Sequence, residues 1–294
     1  MRLGSRSGHS QAANKPICRI CDERKKMTGD SVAPLSSETM AINHLSIPEC
    51  EQCSKWIRAT FGRETIVDST RAMILRRTNR LPIYCFPKED VRMDLMEKSR
   101  NEAELRPQGT AFYWSLKVGI KNVENAAWSF PEATGEWEFL RNYILLEWGA
   151  MDAWFEEDEE VFVHLKDPYH RIDVLKSTRQ VRVVVGGQTV AQSDRSFMLF
   201  ETGFPTRYYI PKKDVSMQYC EPSNLMTRCP YKGIASSYWS IKVGDIVLEN
   251  SVWSYGDPLP EAHKIKDCLC FYNEKVDAIY LDNELVPKPD TPWS

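Results

Sequence analysis

The feature that most limits what this chain can become is an internal repeat. Tyr84-Cys-Phe-Pro-Lys-Glu-Asp-Val91 lines up with Tyr208-Tyr-Ile-Pro-Lys-Lys-Asp-Val215, 124 positions later. Tyr113-Trp-Ser-Leu-Lys-Val-Gly119 lines up with Tyr238-Trp-Ser-Ile-Lys-Val-Gly244, and Asn125-Ala-Ala-Trp-Ser-Phe130 with Asn250-Ser-Val-Trp-Ser-Tyr255, both at 125. The stretch Ile57–Thr65 also pairs with Val181–Thr189. A near-constant offset over such a span implies two copies of one fold. We read a first repeat at 53–165, a connector at 166–176 and a second repeat at 177–294, with residues 1–52 as a mobile extension. The length of 294 residues is what two domains require.

Each copy reads as mainly β. Val181–Ser193 is β-branched, is broken at Gly186-Gly187 and resumes at Thr189-Val190-Ala191, which predicts a hairpin whose glycines take positive φ. Short strand candidates follow at Phe197–Glu201, Arg207–Ile210, Tyr238–Val243 and Val252–Tyr255, separated by turn residues. That rhythm belongs to a sandwich, barrel or tent-like sheet. One short helix per copy is expected, at 260–266 with Pro in its first turn and around 136–143.

Composition narrows the function classes. With 38 Lys and Arg against 41 Asp and Glu, the chain lacks the basic excess of a general nucleic-acid binder. No apolar run approaches the ~18 residues of a membrane span. The first residues show no apolar signal region. They are rich in Arg and Ser and free of acids until Asp22, as in a mitochondrial presequence, but without its apolar face. Nine cysteines, an odd number, fit reduced thiols in the cytoplasm. Two CxxC pairs, Cys18–Cys21 and Cys50–Cys53, have the local spacing of a structural zinc site, although the gap between them exceeds that of common zinc ribbons. Four unlinked thiols are the alternative. The acidic run Glu156–Glu160 reads as a solvated connector rather than a metal site.

The motifs of the second copy carry a resemblance. Glu201-Thr-Gly, Arg207-Tyr-Tyr-Ile-Pro-Lys-Lys-Asp-Val215, Cys229-Pro-Tyr-Lys-Gly233, Trp253-Ser-Tyr and Phe271-Tyr-Asn-Glu-Lys-Val-Asp277 together resemble the family catalogued as domain of unknown function 427. The junction, Met151–Glu160 with Asp167-Pro-Tyr-His-Arg-Ile-Asp173, resembles its two-copy branch. The resemblance implies compact, β-tent-like domains. The family's nucleotidyltransferase-like label is not an established activity. It also finds little support in the residues: Gly186-Gly187 lacks the Lys-Ser/Thr and helix of a phosphate loop, and no paired carboxylates stand out for Mg²⁺.

The copies differ where the first has Arg106-Pro-Gln-Gly109 in place of Cys229-Pro-Tyr-Lys-Gly233, so only the second holds a Cys and a Lys there. An ammonium near a thiol lowers its pKa and favours the thiolate nucleophile. A ligand-lining loop and a buried structural Cys are the competing readings, and no His lies close in sequence to serve as base. Tyr231 sits in the same loop. Glu201 aligns with Arg77, which makes its acid specific to the second copy. Arg207 and Lys212 could hold an anion. Asp214 aligns with Asp90, which favours a turn-capping role over a base. Trp239 and Trp253 align with Trp114 and Trp128 and read as core, with an aromatic cage including Tyr208 or Tyr209 as the alternative. His164 and His170 lack a third ligand for zinc.

Three functions follow as expectations. The first is small-molecule binding in the second repeat or between the repeats, through Arg207, Tyr209, Asp214, Tyr231, Trp239 and Trp253. The second is an enzyme using Cys229, Lys232 and Glu201. The third is a protein-interaction scaffold.

Overall fold

The structure, a computed structural model, describes residues 49–77 and 80–291, with the Arg77 side chain excluded. It consists of two β domains of one design. In each, a seven-stranded antiparallel sheet faces a four-stranded one. In the second repeat, the smaller sheet is built from Val181–Val185, Gln188–Ser193, Ala278–Leu281 and Glu284–Leu285. Its first hairpin and the corresponding one, Ile57–Phe61 with Glu64–Ser69, show the same burial alternation and a bulge at the same place. The turns agree as well. Gly62 and Arg63 have φ of 60° and 74°, and Gly186 and Gly187 have 57° and 71°. Two successive left-handed residues are the geometry of a tight hairpin turn that follows the strand twist.

The central strands of the larger sheet are buried on both faces. Ile74, Tyr84, Phe86, Ile144 and Leu146 pack inward against Ile57, Ala59 and Ile66 of the smaller sheet. Their strand neighbours Leu75, Cys85 and Leu145 point the other way, into a second cluster with Trp128, Trp137 and Leu140. Strands covered on both sides need no polar face, which is why the sequence shows little alternation there. The segments expected to be helical are 3-10 helices, Gly135–Asn142 and Pro260–Ile265; the first lays two buried side chains on that second cluster and the second lays two on the corresponding cluster of the second repeat.

Three expectations need correcting. The first repeat begins at Cys50, because Cys50–Gln52 pairs with Met73–Arg77 as an edge strand. Its counterpart, Ile172–Lys176, pairs with Phe197–Glu201, so the end of the expected connector belongs to the second sheet. The acidic run is a hairpin rather than a connector. It closes Ala153–Glu156 against Glu159–Val161; residues 157–160 are exposed as expected, but Glu156 is buried, accepting hydrogen bonds from Tyr84 Oη at 2.9 Å and from Lys55.

Cys18 and Cys21 lie outside the described residues. Cys50 packs beside the Leu75–Trp128 cluster, whereas Cys53 enters the main core next to Tyr84. The two thiols therefore have different surroundings. Burial pushes the Cys50 thiol up to about 11.

Candidate functional site

The loop that distinguishes the copies also folds differently. In the first repeat, Met96–Leu105 and Gly109–Val118 form one long hairpin of the large sheet. In the second, the hairpin breaks. Cys220–Ser223 and Ser237–Val243 stay in the large sheet, while Thr227–Cys229 and Gly233–Ala235 pair with each other and with Asp257–Pro258 in a small sheet of their own. Pro230, Tyr231 and Lys232 form the tip between paired Cys229 and Gly233. Gly233 has φ of 92°, a conformation open to glycine and costly for other residues. The Lys232 carbonyl accepts from the Leu259 N–H at 3.1 Å, fixing the tip to the body of the domain.

This fold delivers Lys232 to Glu201. The ammonium lies 2.5 Å from Glu201 Oε2, and His170 Nε2 lies 3.0 Å from Oε1. All three side chains are about nine-tenths buried: 12% exposed for Lys232, 9% for Glu201 and 12% for His170. The His170 ring stacks on Tyr231, with centroids 4.1 Å apart and planes at 24°. The Tyr231 hydroxyl accepts from the Asp167 backbone N–H at 2.9 Å. Three separate segments thus meet: a strand end, a hairpin tip and the stretch between the repeats.

The electrostatics follow from this geometry. Burial works against a charged Glu201, but the His170 hydrogen bond and the Lys232 charge outweigh it and hold its carboxyl down at about 2. Burial also works against the Lys232 ammonium, yet neighbouring Cys229 and Glu201 keep its pKa above the ordinary lysine value. The Cys229 thiol goes up: burial dominates, and the lysine only partly offsets it. That reverses the expected activation: burial outweighs the lysine's charge, and the Glu201 carboxylate adds to the rise.

The other predicted residues scatter. Arg207 sits in a buried two-pronged pair with Glu274, both contacts 2.7 Å, beneath Trp253 and Tyr272. Tyr209 is fully buried and accepts from Trp253 Nε1 at 3.3 Å. Trp253 belongs to the cluster under the 3-10 segment and Trp239 to the opposite face, so the two do not form one cage. Lys212 lies 5.7 Å from the Trp239 ring. Asp214 is bound to Ser193 Oγ at 2.7 Å and to Arg195, and Asp90 to Ser69 and Arg71 in the same way. These aspartates tie a 3-10 turn to the neighbouring hairpin and do not cap the turn through their own backbone. A surface depression of about 650 Å³ lies on the first repeat, lined in part by Arg71, Lys88 and Tyr143, away from this cluster. Among the described residues, no three His, Cys, Asp or Glu side chains gather as metal ligands.

The sequence offered His170 only as a zinc ligand with His164 and not as a partner of Glu201, because it lies 31 positions from Glu201 and 62 from Lys232. The available signal was its place in the junction motif Asp167-Pro-Tyr-His170.

The family described as domain of unknown function 427 matches the chain twice, at residues 49–157 and 173–282. This chain belongs to the DUF427 family. The two matches coincide with the two β domains, so the chain is a tandem DUF427 protein. No curated protein matches it. Within the DUF427 pair, the Lys232–Glu201–His170 cluster belongs to the second copy. The first has Gln108 at the place of Lys232 and Arg77 at that of Glu201.

Proposed function

We propose that this tandem DUF427 protein binds a small polar molecule where its second repeat meets the inter-repeat segment, with Lys232, Glu201, His170 and Tyr231 as the contact set. One observation carries the reading. A buried, charged constellation has been assembled from three segments in one copy only. Burying ions costs several kcal/mol each unless they are paired, and perturbed titratable groups of this kind concentrate at functional sites. With both Glu201 oxygens engaged and Cys229 also bonded to the ammonium, the remaining proton of Lys232 is the natural donor to a ligand's carboxylate, phosphate or carbonyl oxygen.

Binding is favoured over catalysis by Cys229 because neither candidate group is poised for proton transfer near neutral pH. The thiol is pushed up by burial and the Glu201 carboxyl is held at about 2.

The test is thermal unfolding of the full chain against a set of small carboxylates, sugar phosphates and nucleotides. A ligand at a hundred times its Kd stabilises by about 2.7 kcal/mol, a rise of several degrees. The rise should vanish in Lys232→Met and persist in Trp239→Phe. A rise of equal size in Lys232→Met would place the ligand elsewhere.

A further inference from the structure

We propose that the hairpin tip Thr227–Ala235 is a lid that carries Lys232 down onto the buried Glu201 carboxylate, and that the first repeat latches it shut through the inter-repeat segment. The inference rests on the binding reading above and adds its regulation. The tip is a distinct piece. It has left the large sheet, a break that the first copy does not share, and it is held to its own domain's body by the pairing of Gly233 and Ile234 with Asp257–Pro258, the Leu259 N–H to the Lys232 carbonyl, Thr227 Oγ1 with Tyr238 Oη at 2.7 Å, and the burial of Ala235.

The segment that holds it, 162–171, has no regular backbone pairing of its own. It is anchored on both sides. Leu165 is buried in the core of the first repeat. Arg76 of the first repeat reaches the Asp167 carboxylate at 3.3 Å and lies 4.6 Å from the Tyr169 ring, while Tyr169 Oη donates to Glu51 at 3.1 Å. Asp167 then gives its backbone N–H to Tyr231, and the next anchor, His170, stacks on the same ring and bonds Glu201. Arg228 of the tip lies 4.6 Å from the Phe162 ring. One aspartate is thus gripped by one repeat through its side chain and grips the other through its backbone.

The entry to this segment is strained. Val163 has φ of 74° at the centre of a three-residue turn closed by the His164 N–H to the Phe162 carbonyl at 2.9 Å. A β-branched residue adopts that conformation only where its surroundings impose it. Strain at the hinge of a latch favours its release once the latch contacts weaken. Arg76 and Asp167 are therefore positioning residues: they touch the tip's tyrosine or its holder, not the ligand.

The test reads the lid without any ligand, by native alkylation of the full chain with iodoacetamide, resolved by peptide mass spectrometry. Cys229 sits at the base of the tip. Cys270 in the second core and Cys85 in the first report on unfolding of each repeat. Arg76→Gln removes the hold on Asp167 and Tyr169 along with the pair to Glu51, while Tyr231→Phe removes only the hydroxyl that accepts from Asp167 and keeps the ring that stacks on His170. Each variant should raise the Cys229 labelling rate about tenfold, as expected for a local opening, with Cys85 and Cys270 unchanged. An unchanged Cys229 rate in both variants overturns the proposal. So does a joint rise of Cys229 with the two core cysteines, which would mean that the contacts merely hold the fold together. Because no ligand enters the measurement, failure of the latch and failure of the binding reading are told apart.

Discussion

Replacing Lys232 with Met isolates the energetics of the buried cluster. The substitution keeps much of the volume and removes the charge that balances Glu201. The magnitude follows by two routes. Glu201 falls from 4.5 to about 2 on folding, and at ~1.4 kcal/mol per pH unit this is about 3 kcal/mol of stability at neutral pH. Removing one partner of a buried ion pair independently costs about 3–5 kcal/mol. Because His170 still holds Oε1 at 3.0 Å, the lower end is expected, about 3 kcal/mol.

The pH dependence has a definite sign. The depressed carboxyl contributes its stability above 4.5 and loses it as the pH falls toward 2. In Lys232→Met the carboxyl loses its cation and titrates higher, so acid protonates a group that was costly to bury. The stability gap between the two proteins should therefore narrow steadily from pH 5 to pH 2. Urea unfolding at a series of pH values measures the gap directly, and other titrating groups cancel to first order in the difference. The double variant Glu201→Leu/Lys232→Met should recover most of the loss, since apolar replacement of a whole buried pair is often neutral. A loss below about 1 kcal/mol at pH 7, or a gap that widens in acid, would refute the picture of a sheltered, charged pair.

Other outcomes follow from the same structure. Arg207→Met should cost about 3–5 kcal/mol in denaturant unfolding, because it strands the fully buried Glu274 carboxylate. Asp90→Ala and Asp214→Ala should lower the melting temperature by similar amounts, since each breaks the same serine and arginine contacts; a loss confined to Asp214 would point to a role outside the fold. Tyr84→Phe should cost about 1–2 kcal/mol by removing a buried hydrogen bond to Glu156, with no matching effect from Tyr208→Phe, whose copy lacks that carboxylate. Trp253→Ala should cost about 3–5 kcal/mol and disrupt the second repeat, which makes Trp253 a poor probe of ligand contact.

Much was legible without coordinates. The offset of 124–125 residues announced two domains of one fold, and the paired glycines, Pro-Lys turns and repeated tryptophans marked equivalent turns and core positions. Local chemistry dictates these features: positive φ at Gly62 and Gly186, a fixed φ at Pro87 and Pro211, and aromatic bulk at Trp128 and Trp253. The absence of Cys229 and Lys232 from the first copy was legible too, because it needs only an alignment of the chain with itself.

What their neighbours are was decided only by tertiary structure. Reading Cys229 and Lys232 as a pair gave an activated thiol. The fold hands the lysine to Glu201 and shelters the sulfur, and burial then decides the sign of its shift. Asp214 looked like a candidate contact until the hairpin placed Ser193 and Arg195 against it. His170 reaches Glu201 because the inter-repeat segment runs past the strand end. Repeats, turns and strand tendencies are encoded over a few residues. Charge balance depends on which distant segments burial forces together, and a linear sequence does not contain those distances.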